Sequence, residues 1–470
     1  MMGQYAKSQE YLARALKVTP GGAQTLSKRA GRFPIGAYPV AITKGVDAKV
    51  VDIDGHIYLD FICGLAAMTL GYDRYDSINN AVMDQLRDGV SFSLAHPLEA
   101  EVAEKLCAMI PCAEMVRFVK TGSEATEAAI RVARKATGRD RILTIAEGYH
   151  SWHSWFQAVK PVHPGIPCGD RDPDEWWGEY YLDPNIIGTF KFNDLESLLK
   201  CIGDDKEGPS DCRDDYDVAA IILEPCHYET PAPGFLQGVR DIASRIGAVL
   251  IFDEMVTGFR WANGGAQEYF GVTPDLACFG KACANGFPLA FLCGKRELME
   301  HADVVSGTFG GETLSLAACS AVLDIYQNEP IIETLWARGR QLQDGFNDLA
   351  QVIGVPVVCD GYAVKPRIKF MASGGFIFPP DTDESVIAAC SARLPNNLAM
   401  SLFLQETAAR GILWHPAGGN ISAAMTKEDI ETALVGMGEA LVIVKKAIDS
   451  GDWSVLQGEP IQSTPFVRKA

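Results

Sequence analysis

Two side chains of opposite charge stand at unusual places in the sequence. Asp253 ends the apolar run 248–252 in GAVLIFDEMVTGFR, and Lys281 lies 28 residues later among Cys, Phe, Gly and Ala in PDLACFGKACANGFPLA. An acid at the end of a buried strand can face a ligand and keep a ring nitrogen protonated. A lysine in apolar surroundings has a lowered pKa and can act as a Schiff-base nucleophile. Taken singly, each has an ordinary alternative, a helix-capping aspartate and a surface lysine.

A possible phosphate site precedes this pair in KTGSEATEAAIRVARKATGR. The pattern predicts a glycine turn followed by a helix, where backbone N–H groups at Gly122 and Ser123 and the helix dipole would bind a phosphate. The alternative is a plain capping box at Ser123. Neither GxxxxGK[ST] nor GxGxxG occurs in the chain, which argues against P-loop and nicotinamide sites.

Aromatic residues crowd the segment AEGYHSWHSWF. They predict either core packing or a platform for a flat ligand stacked on Tyr149 or His150. His150 and His153 have the i, i+3 spacing of metal ligands, but no nearby acid or cysteine completes a set, so we expect no metal. A phosphate turn, an aromatic platform, a strand-end acid and an apolar lysine, in this order, are the parts that pyridoxal phosphate (PLP) requires.

The elements that must position these groups alternate between short apolar runs and amphipathic stretches, which is typical of an α/β protein with a largely parallel sheet. Strands are predicted at 217–225, 247–254 and 366–372, a hairpin at 49–62 with its turn at Asp54-Gly55, a strand–turn–helix unit at 116–138, and helices at 99–110 and 428–448. We expect a large domain at 66–320 and a smaller one formed by 1–65 and 321–470. The Pro-, Gly- and aromatic-rich segment 155–185 is predicted to be a functional lid.

Composition narrows the class of protein. The 470 residues carry a net charge of −18, which argues against a nucleic-acid partner. From its first residues we expect no secretory signal, and the sequence shows no apolar run long enough to span a bilayer. The 13 cysteines are scattered, without C-x-x-C spacing, as expected of reduced thiols in a cytoplasmic protein.

The sequence from about Thr19 to Thr426 resembles that of a known family. VRFVKTGSEATEAAIRVARKATGRDRI, EGYH, IILEP, LIFDEMVTGFR and SGTFGGETLSLAA are similar to the class III aminotransferases of PLP fold type I, in the branch of glutamate-1-semialdehyde aminomutase. PGGAQTLSK and GGETLSLAA look like its relatives in sugar and polysaccharide biosynthesis. The resemblance implies PLP as cofactor, a large domain around a mostly parallel seven-stranded sheet, and a smaller α+β domain.

The resemblance also implies roles for single residues. Lys281 would hold the cofactor as a Schiff base and move protons during the reaction, Asp253 would pair with the pyridine nitrogen, and Tyr149 would stack on the ring. Further cofactor-binding positions are Gly122, Ser123, His150, Glu224 and Met255, the last where the family usually has valine. Thr308 matches a residue that reaches the phosphate of a neighbouring subunit, which implies a homodimer with shared active sites.

The sequence differs from that of the aminomutase at positions that would contact the substrate. Thr25 and Lys28 replace a serine and an arginine that hold the substrate carboxylate, and His415 and Asn420 stand in WHPAGGNISAAMT, where the mutase has an acid. We expect these four residues and Trp152 to bind substrate. The predicted activity is ping-pong transfer of an amino group from a small-molecule donor to a carbonyl acceptor, such as an aldehyde, a keto sugar or a small ketone.

Other activities stay open at this point. A 2,1-aminomutase or an amino-acid racemase would use the same parts. A PLP-binding regulator would need a basic DNA-binding appendage, which the chain does not show, and a plain metabolite-binding protein would not need Lys281. Arg367 could bind a donor carboxylate or lie on a solvated strand edge.

Overall fold

The computed structural model describes residues 4–146, 148–153, 186–203, 217–226, 229–371 and 396–461. The chain divides into two compact units: the large unit, residues 75–332, and the split unit, residues 1–74 with 333–470. The boundaries predicted from the sequence, 65/66 and 320/321, stay predictions. The segment 155–185, predicted to be a lid, lies outside the described residues.

The strands of the described part include those predicted at 217–225, 247–254 and 366–372, together with others that were not predicted. In chain order they are β1 (Ile42–Val46), β2 (Lys49–Asp52), β3 (Ile57–Asp60), β4 (Met115–Val119), β5 (Arg141–Ile145), β6 (Ile187–Phe190), β7 (Val218–Leu223), β8 (Val249–Asp253), β9 (Leu276–Phe279), β10 (Ala290–Gly294), β11 (Val357–Tyr362), β12 (Lys365–Phe370) and β13 (Ile412–Leu413).

The helices of the same residues include the predicted ones at 99–110 and 428–448. They are α1 (Ala6–Ala15), α2 (Cys63–Ala66), α3 (Asp76–Asp88), α4 (Pro97–Met109), α5 (Gly122–Thr137), α6 (Leu195–Cys201), α7 (Phe235–Ile246), α8 (Ala266–Phe270), α9 (Arg296–Met299), α10 (Thr313–Asn328), α11 (Ile331–Ile353), α12 (Asn396–Ala409) and α13 (Lys427–Ser450). None of them is long and apolar enough to cross a membrane.

The large unit is built on a seven-stranded sheet in the order β4-β10-β9-β8-β7-β5-β6. Only β10 runs antiparallel to its neighbours β4 and β9, while the pairs from β9 through β6 are parallel. This confirms the predicted mostly parallel, seven-stranded sheet of the α/β fold.

Helices cover both faces of this sheet. All residues of β7 and β8 are buried, as expected of a parallel sheet covered on two sides. Alternate residues of β8 belong to two separate clusters. Val249 and Ile251 lie in the cluster that includes the buried side of α5, and Leu250 and Phe252 lie in the one that includes α7.

The split unit contains a four-stranded sheet in the order β1-β2-β3-β13 and the antiparallel hairpin β11-β12. The predicted hairpin at 49–62 is confirmed: β2 pairs antiparallel with β3. Its turn contains Gly55 at a φ of 99°, a conformation that L side chains rarely adopt.

Candidate active site

The candidate site begins at the carboxyl edge of the large sheet. Leu223 pairs with Phe252 across β7 and β8, and Asp253 pairs with Cys278 across β8 and β9. Glu224, the residue after β7, therefore reaches the same edge as Asp253. In open α/β sheets this edge is the usual place for a ligand.

The Asp253 carboxylate is held on both oxygens. His150 Nδ1 lies 2.8 Å from Oδ2, and the Met255 backbone N–H donates to Oδ1 at 3.0 Å. Because a carboxylate only accepts, Nδ1 carries the hydrogen. Thr126 Oγ1 in turn donates to the His150 carbonyl at 2.8 Å. The acid therefore has a fixed orientation in a buried setting, since Asp253 and His150 are 4% and 3% exposed.

Lys281 opens a single 3₁₀ turn, Lys281–Ala284, just after β9. Its φ of 48° lies in the left-handed region, which non-glycine residues adopt at a cost and often at functional sites. Within the described residues, Nζ has no hydrogen-bond or ion-pair partner. Burial lowers the pKa of Lys281, and the charges of Asp253 and Glu224 oppose this shift only in part. The amine is thus more readily neutral than a surface lysine.

The glycine turn leads into α5 as predicted, and the structure shows which residue caps the helix, while the phosphate site stays a prediction. Thr121, not Ser123, caps the helix: its Oγ1 accepts from Glu124 N at 3.2 Å, and Glu124 Oε2 accepts from Thr121 N at 2.8 Å. The N–H groups of Gly122 and Ser123 have no acceptor among the described residues. They can therefore bind a phosphate at the positive end of the helix dipole.

Met255 fills the space between the start of α5 at Gly122 and Gly280, the residue before the Lys281 turn. A Cβ placed on Gly122 would lie 2.9 Å from Met255 Sδ, and a Cβ placed on Gly280 would lie 2.8 Å from it. Both glycines therefore allow the methionine to sit between α5 and the end of β9. A valine there would leave this space partly empty.

Among the described rings after β5, His150 is buried, whereas Tyr149 and Trp152 are exposed. Tyr149 is 49% exposed, and burial together with the Asp253 charge raises its pKa. Trp152 is 70% exposed and stacks on His153 with ring centroids 5.4 Å apart. In the described part, no group of three or more His, Cys, Asp or Glu side chains is placed to hold a metal ion.

Thr308 lies on the loop before α10. It is exposed and lines a cavity of about 530 Å³ together with Lys120 and His153. The neighbouring Phe309 is 58% exposed.

The other predicted substrate residues lie in the split unit. Thr25 and Lys28 are exposed. His415 is buried, with Nε2 3.2 Å from the Ser27 carbonyl and Nδ1 accepting from Ala417 N at 3.0 Å. The structure thus connects His415 to the segment between the two exposed residues.

Asn420 is also buried in the split unit. Its Nδ2 donates to the Ile62 carbonyl at 3.1 Å, while Oδ1 is buried without a hydrogen-bond partner among the described residues.

Sequence reasoning missed His153 as part of the phosphate turn. Its Nε2 lies 2.9 Å from the Ser123 carbonyl, so that the ring donates to the first turn of α5. Thr126 was missed as well, although it joins this turn to the His150 backbone. The H-x-x-H spacing was the available signal, but it is equally compatible with a metal site.

Comparison with known proteins agrees with this geometry. The family model described as aminotransferase class-III matches residues 34–357. The chain is 38% identical to the 3-aminobutyryl-CoA aminotransferase of Cloacimonas acidaminovorans (strain Evry) over 375 residues, 78% of this chain and 84% of that protein. It is 34% identical to the glutamate-1-semialdehyde 2,1-aminomutase of Syntrophobacter fumaroxidans (strain DSM 10017 / MPOB) over 443 residues, 91% and 95% of the two chains.

A solved structure shows the same fold with the cofactor. The PLP internal aldimine form of the FumI protein of Sphingopyxis sp. MTA144 superposes with a TM-score of 0.78 at 26% identity, covering 94% of this chain and 97% of that one. The family match spans more than half of the 470 residues. The chain therefore belongs to the class III aminotransferases, PLP-dependent enzymes of fold type I.

Proposed function

We propose that this enzyme moves an amino group from a small-molecule donor to a carbonyl acceptor, with Lys281 as the cofactor-bearing and proton-transferring residue. The observation that carries the proposal is that one sheet edge holds both the fixed Asp253 carboxylate and a lysine of lowered pKa, Lys281, which has no ion-pair partner among the described residues.

The residues fit pyridoxal phosphate. Gly122 and Ser123 offer two backbone N–H donors at a helix N-terminus for the phosphate, and Asp253 offers a fixed carboxylate for a ring nitrogen. Tyr149, Met255, Glu224 and His150 would surround or support the ring. When bound, the cofactor supplies an aldehyde that condenses with amines and a ring that accepts the electrons released on deprotonation.

Lys281 would act as base and then as acid. Its burial favours the neutral amine, so Nζ can take a proton from the substrate carbon once the substrate amine has replaced it. The same Nζ then returns the proton to a different carbon. Asp253, fixed by His150 and Met255, would hold its carboxyl group in one orientation at the ring nitrogen.

The proposed acceptor class is supported by the relatives and by the sequence differences from the aminomutase at Thr25, Lys28, His415 and Asn420. The 38% identity to a 3-aminobutyryl-CoA aminotransferase, whose name states an amino compound, favours a substrate whose amine-bearing carbon is not adjacent to a carboxylate. Run in reverse, the half-reaction of such a donor would take a 3-oxoacyl thioester, an aldehyde or a ketone as the acceptor. A keto sugar, suggested by the resemblance to polysaccharide enzymes, belongs to the same chemical group. Thr25, Lys28, Trp152, His415 and Asn420 stay the predicted substrate residues.

A 2,1-aminomutase is the second candidate. It is favoured by 34% identity to such an enzyme over 91% of this chain. A mutase returns the amino group to the same molecule and needs no second substrate, which separates the two activities in a single assay.

We further propose a homodimer in which Thr308 of each subunit reaches the phosphate bound by the other. The exposure of Thr308 and of the adjacent Phe309 on one loop supports this proposal, because an apolar ring at 58% exposure is suited to an interface. Sedimentation equilibrium would test the dimer, and T308A should weaken PLP binding only in the dimer.

The activity is tested with the purified PLP-loaded protein. A visible absorbance band that borohydride abolishes should be present in the wild type and absent from K281A. The enzyme is then converted to its aminated form with candidate donors, freed of donor and offered each acceptor class. Return of the original band with an oxoacyl thioester, aldehyde or ketone supports transamination. Turnover of an amino aldehyde without any added acceptor would instead establish the mutase.

A further inference from the structure

A second cavity lies entirely within the split unit. It has a volume of about 350 Å³ and is bounded by β12, the start of α12, residues 416–417 and two single residues, Arg32 and Ile461. Its charged lining residues are all cations: Arg32, Arg367 and Lys369. No Asp or Glu of the described part lines it, although the chain as a whole carries a net charge of −18. A positive cavity on such an acidic protein is suited to an anion.

Among the cations that line the cavity, Arg32 is the one that is partly buried without an acceptor in the described part. It ends the short turn Ala30–Arg32 and is partly buried. Its Nε is fully buried without a hydrogen-bond partner, and within the described ranges its guanidinium makes no hydrogen bond or ion pair. Arginine stays charged and presents five N–H donors, so burying it without an acceptor is costly. An oxyanion bound beside it would remove that cost.

The neighbouring groups do not supply the missing negative charge. Asp360 already accepts from Arg367 Nε and Nη2, both at 2.8 Å. His415 uses Nδ1 for Ala417 N and faces the Ser27 carbonyl with Nε2.

The second strand of the hairpin adds Lys369 to the cations that line the cavity. Arg367 and Lys369 are two residues apart on β12 and therefore share one face of the strand. Lys369 is exposed and has no ion-pair partner among the described residues. Its ammonium group is therefore available to a ligand in the cavity that Arg32 also lines.

The remaining lining suits an organic body larger than an inorganic ion. Ile368, Phe370, Met400, Pro416 and Ile461 give the cavity an apolar part. Its volume falls within the range of small-molecule sites. We propose that this cavity binds the oxyanion group, a carboxylate or a phosphate, of a small organic molecule, with Arg32 and Lys369 holding the oxyanion.

The proposal is tested by isothermal titration of the PLP-loaded holoenzyme, in which the cofactor phosphate site is already filled. The probes are inorganic phosphate and succinate, each compared with chloride at equal ionic strength. The wild type should bind at least one probe saturably. Preference for phosphate would assign a phosphate-bearing ligand, and preference for succinate would assign a carboxylate.

Matched variants locate the binding. R32Q should weaken it roughly tenfold or more, because a charge-assisted bidentate contact is lost. K369Q, at an exposed position, should weaken it severalfold and serves where R32Q folds poorly, while R32K should retain part of the affinity. K446Q removes the same charge from an exposed site on α13 and should bind as the wild type does.

Two results would overturn the proposal. One is the absence of saturable binding of either probe to the wild type. The other is unchanged affinity in both R32Q and K369Q, since the probe would then lie elsewhere. The cofactor absorbance band, recorded in parallel, should be the same in all four variants, so that failure here is distinguishable from failure at Lys281.

Discussion

His150 and Asp253 form a buried pair in which the imidazole Nδ1 lies 2.8 Å from the carboxylate Oδ2. The residues are 103 positions apart in the chain, and the contact joins the segment after β5 to the end of β8. His150 therefore acts as a positioning residue for the acid proposed to face the cofactor ring.

Removal of this contact should weaken the cofactor site without dismantling it. H150A leaves one buried carboxylate oxygen without its donor, and hydrogen bonds to charged groups contribute about 1.5–3 kcal/mol. We expect PLP affinity and kcat each to fall roughly tenfold to a hundredfold. H150N, whose side-chain amide can donate to the same oxygen, should recover part of both. Absorbance titration of the apo protein with PLP measures the affinity, and equal losses in H150A and H150N would contradict the positioning role.

The lowered pKa of Lys281 predicts how the apo protein takes up its cofactor. Only the neutral amine attacks an aldehyde, so the loading rate should rise with pH and level off below the ordinary pKa of lysine. Stopped-flow absorbance gives this profile. K281A should form no reducible band, whereas K446Q, on the exposed side of α13, should match the wild type. A loading rate that keeps rising up to the pKa of a free lysine would contradict the effect of burial.

The features of this site that could be predicted from the sequence are those set by residues close together in the chain. The placement of Asp253 and Lys281 could be predicted, because Asp253 ends one apolar strand, Lys281 comes two residues after the next, and the ends of parallel strands meet at one edge of the sheet. The cap of α5 was placed two residues too late, since Thr121 and Ser123 are both good capping residues and only the fold decides between them.

Contacts between segments that lie far apart in the chain could not be predicted from the sequence. The ring of His153 reaches the Ser123 carbonyl 30 positions away, and the cavity beside Arg32 is lined by residues from five separate stretches of chain. Spacing within a segment cannot specify these approaches, because they are set by the packing of the whole unit. The same reason explains why the seven-stranded sheet was expected from family resemblance, while the apolar runs alone predicted only its parallel character.

The packing of Met255 against two glycines predicts a coupled pair of substitutions. G122A should destabilise the apo protein by about 1–3 kcal/mol, the usual cost of overpacking, because its Cβ would meet Met255 Sδ at 2.9 Å. In the M255V background that cost should largely disappear, since alanine is itself favourable in a helix. Thermal unfolding of the four apo proteins gives the coupling energy. G307A, where an added Cβ meets nothing within 4 Å, is the control, and strictly additive effects would refute the contact.

His415 predicts a loss of stability in mild acid. Burial, reinforced by the charges of Arg32 and Lys365, lowers the pKa of His415 to about 4 from its ordinary value of 6.5. Between these values the unfolded chain takes up a proton at this residue and the folded chain does not, so stability falls as the pH falls through that window. The full shift corresponds to about 3 kcal/mol.

The test compares urea unfolding of the wild type and H415Q at about pH 7.5 and about pH 4.5. Glutamine can keep a donor for the Ser27 carbonyl and an acceptor for Ala417 N but does not titrate, so the wild type should lose more stability than H415Q on acidification. Other groups titrate alike in both proteins and cancel in the difference. H301Q, which removes a histidine from the large unit, is the control and should lose as much as the wild type. An equal loss in the wild type and H415Q would show that His415 is protonated in the folded protein at its ordinary pKa.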